Sequence, residues 1–418
     1  MSATRTLLLA LGCAGLGPAT PARAGQAAEP AQASASVPSD PTFHALLTDG
    51  TTASGLIREL GASGGVTLAS GEGAERAIPF DRLVKLTREG TVPPPWTNEG
   101  EVVLFPDGDR LAHCVIASAG AADLDVQPVA LGKLPVPLDA ILGLIFRPPS
   151  EPDALDSLES EVRSAPRAAE LLWLANGDKL PGLLAGLDDK KVAFQPPAGR
   201  VEIDRQGVVA LGFAPAQVVY KAPAGPYLEL TLIDGTRLGL TDVHVEHGQV
   251  IGTTRFQAPV RFSVGDLALV RALNGPVGYL SDREASGSQY VAYVGPTRPY
   301  RRNASVAGRS LQLGGRAYDR GIGTQSRTLL AYRLEPGARR FQALVGLDDQ
   351  AGPLGNVVFK VLVDGKGRYE SPPMGSGEVP RAVDVELSGA KVLILITEFG
   401  ERGEVQDAGD WVEARIIR

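Results

Sequence analysis

The chain has 418 residues, a formal net charge of −7 and 44% hydrophobic residues. Chains beyond roughly 250–300 residues divide into several domains, and this apolar content excludes global disorder. The acidic balance supplies no basic face for a phosphate backbone, so nucleic acid is excluded as a partner and neutral or cationic partners are favoured. The 50 glycines and 32 prolines are spread along the chain, which suits short strands and turns and opposes long helices.

The N-terminus reads as a targeting segment. Arg5 precedes an apolar run from Thr6 to Leu16, and Ala22-Arg23-Ala24 offers a small-residue cleavage site before Gly25. The expectation is a signal peptide over 1–24 and a secreted protein, periplasmic or extracellular. The alternative is lipoprotein-type cleavage before Cys13, which Ala10-Leu11-Gly12 fits poorly. Cleavage before Gly25 removes Arg5 and Arg23 and no acid, so −7 becomes −9. No segment has the ~18 apolar residues of a membrane helix, so no transmembrane segment is expected. Residues 25–42, rich in Ala, Ser and Pro, read as a disordered linker. Cys114 is then the one remaining cysteine, expected as a small core residue in a strand.

From 43 to 274 the sequence repeats. Apolar strands run into Asp49-Gly50, Asp107-Gly108, Asn176-Gly177 and Asp234-Gly235, hairpin signals in which both positions accept positive φ. Three copies continue with a basic residue and leucine: Arg110-Leu111, Lys179-Leu180 and Arg237-Leu238. Each copy closes on an apolar strand, an aspartate (Asp81, Asp139, Asp204, Asp266) and a second apolar strand. The aspartate is expected to cap the tight turn through its side chain. The turn glycines are spaced 58, 69 and 58 residues apart, and the long gap holds Leu155, Leu158 and Val162 at helical spacing before Pro166. The expectation is repeats 1 and 2 over 43–149, a helical linker over 150–170, and repeats 3 and 4 over 171–274. Each repeat has about five strands, the size of a small SH3-like or Sm-like β-barrel.

His244-Val245-Glu246-His247 lacks the helix that an HExxH zinc site requires, because the segment reads as a strand. The four histidines (His44, His113, His244 and His247) give no metal set, and these two are expected at a strand surface.

From about Gly275 the pattern changes. The residues themselves give β-type apolar runs at Arg340–Val345, Val357–Val363 and Val392–Thr397, with a hairpin turn at Asp364-Gly365. Gly321, Gly323 and Gly346 mark unusual φ or close packing. The order of Tyr279-Leu280-Ser281-Asp282, Tyr318-Asp319-Arg320-Gly321-Ile322-Gly323-Thr324, Val345-Gly346-Leu347-Asp348-Asp349 and Asp410-Trp411-Val412-Glu413-Ala414 resembles the NPCBM family of carbohydrate-binding modules. The resemblance runs over residues 276–418. It implies an all-β chain ending in a galactose-binding-like jelly-roll β-sandwich over 275–418. Family members commonly carry histidine where this chain has Gln325.

Sugar recognition uses an aromatic face and planar polar side chains. The candidate carbohydrate-binding residues are Gln325, Arg340, Glu398, Asp407, Asp410 and Trp411, with Tyr369 and Phe399 beside them; Trp411, just before the apolar strand Val412 to Ile417, also reads as a core residue. The loop acids Glu398, Glu401, Glu404, Asp407 and Asp410 form a candidate Ca²⁺ cluster. No nucleophile–base pair or phosphate loop stands out, so no catalytic residue and no enzyme activity are expected. Two readings stay open: a secreted glycan-binding protein with the repeats as spacer or second surface, and an envelope scaffold that binds a protein partner.

Overall fold

The computed structural model describes residues 40–418 except 72, 92–99, 121, 293–297 and 402. The expected leader and nearly all of the 25–42 linker lie outside the described residues, as does Cys13. The described chain is all-β with one helix. In its first part, β1 (Thr42–Leu47), β2 (Thr52–Gly61), β3 (Gly65–Ala69) and β4 (Glu75–Ile78) pair in succession. A one-turn 3-10 helix, Phe80–Arg82, leads into β5 (Leu83–Arg88), which returns to pair with β1. The same pairing recurs in β6 (Glu101–Leu104), β7 (Arg110–Ala119), β8 (Asp123–Pro128), β9 (Leu134–Pro137) and β10 (Gly143–Ile145). It recurs again in β11 (Glu170–Leu174), β12 (Lys179–Leu187), β13 (Lys191–Gln195), β14 (Val201–Asp204) and β15 (Val208–Gly212). The last set is β16 (Tyr227–Leu232), β17 (Arg237–Glu246), β18 (Gln249–Thr254), β19 (Pro259–Ser263) and β20 (Leu267–Leu273).

Local chemistry accounts for the turns. Gly50, Gly108, Gly177 and Gly235 all take positive φ, but of the preceding residues only Asp107 does. The expectation of two positive-φ positions is therefore corrected at three turns. There the Asx side chain accepts the backbone N–H two residues on: Asp49 from Thr51 at 2.9 Å, Asn176 from Asp178 at 3.1 Å and Asp234 from Thr236 at 2.8 Å. The closing aspartates do not cap as expected. Asp204 precedes its 3-10 turn without a side-chain bond, and in the fourth copy Ser263 accepts from Gly265. Asp81, Asp139 and Asp266 lie inside their 3-10 turns.

The sequence order of the copies suggests partners 1–2 and 3–4, and the structure pairs them otherwise. Strand β5 pairs with β20, and β10 pairs with β15. A fifth strand bonded only to the first has one open edge, and antiparallel pairing of two such edges satisfies both. Helix α1 (Pro152–Ser164) covers the β10–β15 seam, burying Leu155 and Val162 against Val102, Leu104, Ile145, Trp173 and Ala210. Arg110 pairs with Glu159 of the helix at 2.5 Å and Lys179 with Glu161. Cys114 on β7 is buried in the large apolar core, and that burial pushes its thiol up, so it stays protonated.

The C-terminal domain follows with β21 (Val277–Tyr279), β22 (Gly287–Tyr290), β23 (Arg301–Arg302), β24 (Leu311–Leu313), β25 (Arg316–Tyr318), β26 (Gly321–Gln325), β27 (Thr328–Arg333), β28 (Arg340–Leu347), β29 (Asn356–Val363), β30 (Lys366–Glu370), β31 (Met374–Gly375), β32 (Arg381–Glu386), β33 (Val392–Phe399) and β34 (Ala408–Ile417). One antiparallel sheet runs β23-β26-β34-β28-β32 with β21 on β34, and the other runs β22-β27-β33-β29-β30 with β31 on β29. Between them lies a core of Ile322, Leu330, Phe341, Val345, Phe359, Val361, Leu395 and Trp411. Asp364 and Gly365 both take positive φ in the two-residue hairpin, as the sequence predicts. Gly323 has ordinary φ. A Cβ there would stand 2.4 Å from the Ala304 carbonyl oxygen, so close backbone approach is the reason for glycine.

Buried charges join this domain to the first and fourth copies. Arg271 of β20 meets Glu229 of β16 (3.2 Å), Asp319 (2.5 Å) and Glu413 of β34 (3.0 Å). Lys85 of β5 meets Glu413 at 2.8 Å, and Arg237 of β17 meets Asp319 at 2.8 Å. Arg320 bridges Glu229 (2.7 Å) and Asp282. Arg271 and Lys85 are directly opposite in the β5–β20 ladder, a like-charge pair that the Glu413 carboxylate offsets. Glu413 sits at a bulge of β34 with φ +54°, which turns its side chain out of strand alternation toward the junction.

Candidate functional site

The six sequence candidates do not form one cluster. Gln325 lies opposite Ala408 and Arg340 opposite Ile417, the two ends of the ten-residue strand β34. At the rise of an extended strand that is roughly 30 Å, too far for a shared monosaccharide. Arg340 instead makes a two-point pair with Asp384, at 2.9 and 2.6 Å. Tyr369, on β30, packs partly buried against the domain core.

Trp411 is a core residue, as its place before the apolar strand suggests, and not a stacking platform. It is 0% exposed, stands edge-on to Phe359 with ring centroids 5.1 Å apart, and donates its indole N–H to Thr397 Oγ1 at 3.0 Å. An apolar ring with its one donor satisfied belongs in the interior. Asp410 is also fully buried, and its carboxyl shares a hydrogen bond with the Asp348 carboxyl. Burial, then the neighbouring Asp348 carboxyl, pushes the Asp410 carboxyl well above the ordinary range. The amide N and O of Gln350, which donates its backbone N–H to Asp348 at 2.8 Å, are buried without partners. Among the described residues no three Asp, Glu, His or Cys side chains converge as a metal set, so the loop acids do not together form the candidate Ca²⁺ cluster. His247 stands in the turn after β17, with its side chain 91% exposed.

Gln325, Asp407 and Glu398 do come together, at the loop end of the sandwich. Asp407 accepts Ser326 Oγ–H and the Asn356 N–H, each at 2.8 Å, and so ties the turn after β26 to the start of β29. Burial raises its carboxyl above the usual range. Gln325 is 3% exposed, donates to the Glu404 carbonyl at 3.0 Å and accepts from Arg298 at 3.5 Å. Its amide therefore orders the loop and contributes little surface to a ligand, a correction to its role as a direct contact. Glu398 faces Arg327 at 3.6 Å, both partly exposed, and Phe399 follows at the end of β33.

The surface of this end comes from residues the sequence did not single out. Tyr290, partly exposed, pairs with Thr328 across the β22–β27 ladder, and Val291 donates its N–H to the Arg327 carbonyl at 3.1 Å. Leu354 is anchored through its N–H to Gln406 Oε1 at 2.8 Å, with Val405 next in sequence. Val291, Leu354 and Val405 are 41%, 47% and 50% exposed. Val291 thus stands beside Arg327 and Leu354 beside the 403–407 loop, so this end of the domain carries exposed apolar side chains, one aromatic ring and the Arg327–Glu398 pair, the groups that meet a C–H face and hydroxyls. These residues lie far apart in sequence, and no local pattern marks them.

Comparison with known proteins gives the C-terminal part a family. The NPCBM/NEW2 domain model matches residues 277–417. A Renibacterium salmoninarum protein named "Putative endo-alpha-N-acetylgalactosaminidase" is 30% identical over 142 residues, 33% of this chain but 9% of that protein's length. The chain thus matches less than a tenth of that relative. Among solved structures, CBM51 from Clostridium perfringens GH95 in complex with methyl-galactose is 26% identical, covering 34% of this chain and 99% of that one at a TM-score of 0.31. The tandem CBM51 modules of a family 98 glycoside hydrolase from Streptococcus pneumoniae are 16% identical, covering 59% and 87% at a TM-score of 0.31. Residues 277–417 thus match the NPCBM/NEW2 domain family, the one that the sequence of this segment resembles.

Proposed function

We propose that the chain is an exported, non-catalytic glycan-binding protein that holds a neutral sugar at the loop end of its C-terminal domain. The observation that carries this reading is the exposure of Val291, Leu354 and Val405 at the end of the domain that holds Tyr290 and the Arg327–Glu398 pair, in a segment that matches the NPCBM/NEW2 family. The two facing sheets are read as a galactose-binding-like jelly roll, and each five-strand copy in β1–β20 as a small SH3-like or Sm-like barrel. The copies serve as spacer or second surface. Burial of Asp348 and Asp410, at 2% and 0% exposure, supports a non-catalytic role for that acid pair. We read the same pair as the place for a structural cation such as Ca²⁺, because the Gln350 amide beside the two carboxyls is buried without a hydrogen-bond partner.

The test is a glycan-array screen of the full chain, followed by titration of each hit. Saturable binding to a defined glycan, weakened tenfold or more in Tyr290→Ala with an unchanged melting curve, supports the reading. The second reading, an envelope scaffold without sugar binding, is favoured by the burial of Trp411, which removes the largest aromatic from the surface. Absence of binding by the folded chain to any arrayed glycan selects it.

A further inference from the structure

A cavity of about 470 Å³ lies between the fourth copy and the C-terminal domain. Its volume falls within the roughly 300–1,000 Å³ of small-molecule sites. The fourth copy and the link after it supply Ala224, Tyr227 and Asn274, and the C-terminal domain supplies Tyr279, Asp282, Arg283, Glu335 and Arg418. It is therefore a shared space that neither part forms alone.

The lining chemistry specifies a ligand class. Two carboxylates, Asp282 and Glu335, face two guanidiniums, Arg283 and Arg418, so the wall is electrically balanced. Glu335 is held by Arg418 at 3.0 Å and lies 3.9 Å from Arg283, and Asp282 is fixed by Arg320. Such pairs offer acceptors and donors side by side, which suits a hydroxyl that accepts from one and donates to the other. A charged ligand would leave one member of each pair opposed. Tyr227 is partly exposed at the wall, and Tyr279 is buried beneath it. The Tyr227 ring beside donor–acceptor pairs suits the C–H face and the hydroxyl edge of a pyranose.

We infer that this cavity is a second ligand site, built by both parts of the chain, for an uncharged polyhydroxylated molecule of monosaccharide size. It is separate from the loop-end site, for β21 crosses β34 at its Ile417 end and Gln325 lies at its Ala408 end.

The experiment titrates the full chain with methyl β-galactoside, N-acetylgalactosamine, N-acetylglucosamine and glucose, read by calorimetry and by saturation-transfer NMR. Three variants are compared. Ala224→Trp fills the cavity from an exposed rim position and leaves the core intact. Tyr227→Phe with Glu335→Gln removes a hydroxyl and a charge while keeping both shapes. Tyr290→Ala alters the loop end only. The expected result is at least one sugar whose affinity falls tenfold or more in both cavity variants and is unchanged in Tyr290→Ala. If every sugar that binds is unaffected by both cavity variants, the inference is overturned, whether or not Tyr290→Ala lowers binding. If no sugar binds the folded wild-type chain at millimolar concentration, it is overturned as well. Sensitivity to the cavity variants alone sustains it while overturning the loop-end site.

Discussion

At the scale of single residues, burial decides which candidate side chains can act. Trp411 fills the space between the two sheets, and truncation there leaves a cavity next to Phe359 and Phe341. Trp411→Ala is expected to cost about 3–5 kcal/mol in denaturant unfolding. Any loss of sugar binding in that variant reports unfolding, so binding and melting should fall together. Asp410 leads to a different expectation. Its raised carboxyl keeps its proton in the folded chain above the pH at which the unfolded chain releases it. Stability therefore declines as pH rises from the unfolded value toward the folded one. In chelator at pH 7, Asp410→Asn should melt no lower than wild type, because the amide replaces a neutral acid. Millimolar Ca²⁺ should then raise the wild-type melting temperature and leave that of Asp410→Asn unchanged. A wild-type melting point indifferent to Ca²⁺ would remove the cation from this site.

At the scale of elements, the informative feature is the basic residue that follows the hairpin turn in three copies. Arg110 and Lys179 use it to hold helix α1, and Arg237 uses it to hold Asp319 of the C-terminal domain. The repeated cation was visible in the sequence, but its partners were not, since each comes from a different neighbour. The strands, turn glycines and the 152–164 helix were legible because apolar period and turn residues are local signals. The β5–β20 and β10–β15 ladders were not legible, because edge pairing depends on which open edges meet. The exposed loop-end residues were missed for the same reason: Tyr290 and Glu404 are brought near each other only by the sandwich. The bulge at Glu413 allows a quantitative test. Burial opposes its ionisation, but Lys85, Arg271 and Arg415 outweigh that and hold the carboxyl down at about 2. A depressed folded value means stability is fully present above the unfolded value near 4.3 and is lost as pH falls toward 2. Wild-type melting should drop through that window. Glu413→Gln should be flatter there and less stable at pH 7 by about 3–5 kcal/mol, the cost of removing one partner of a buried pair.

At the scale of the whole molecule, residues 40–418 form one compact unit. A module on a flexible tether would keep its surface charges solvated. Here Glu413, Arg320 and Asp319 are covered by Lys85, Glu229, Arg237 and Arg271 of the preceding copies. Cutting the chain after residue 274 strips Asp319 and Glu413 of all three of those cationic partners. The isolated 275–418 fragment is expected to melt lower than the same domain within the intact chain, with the gap shrinking below pH 4 as those acids lose charge. Equal melting points at pH 7 would show the junction to be energetically neutral.

The β5–β20 ladder also sets a schedule. Thr87 pairs with Leu269, so the open edge of the first copy is finished long before its partner strand has been made. At ~5–20 residues per second, the ribosome takes on the order of 10–40 s to supply it. During that interval the first copy carries an unpaired β-edge, the kind of surface that templates misassembly between nascent chains. Recovery of this protein on expression should therefore depend on how well that edge is shielded while the chain emerges, more than on the final stability of its cores.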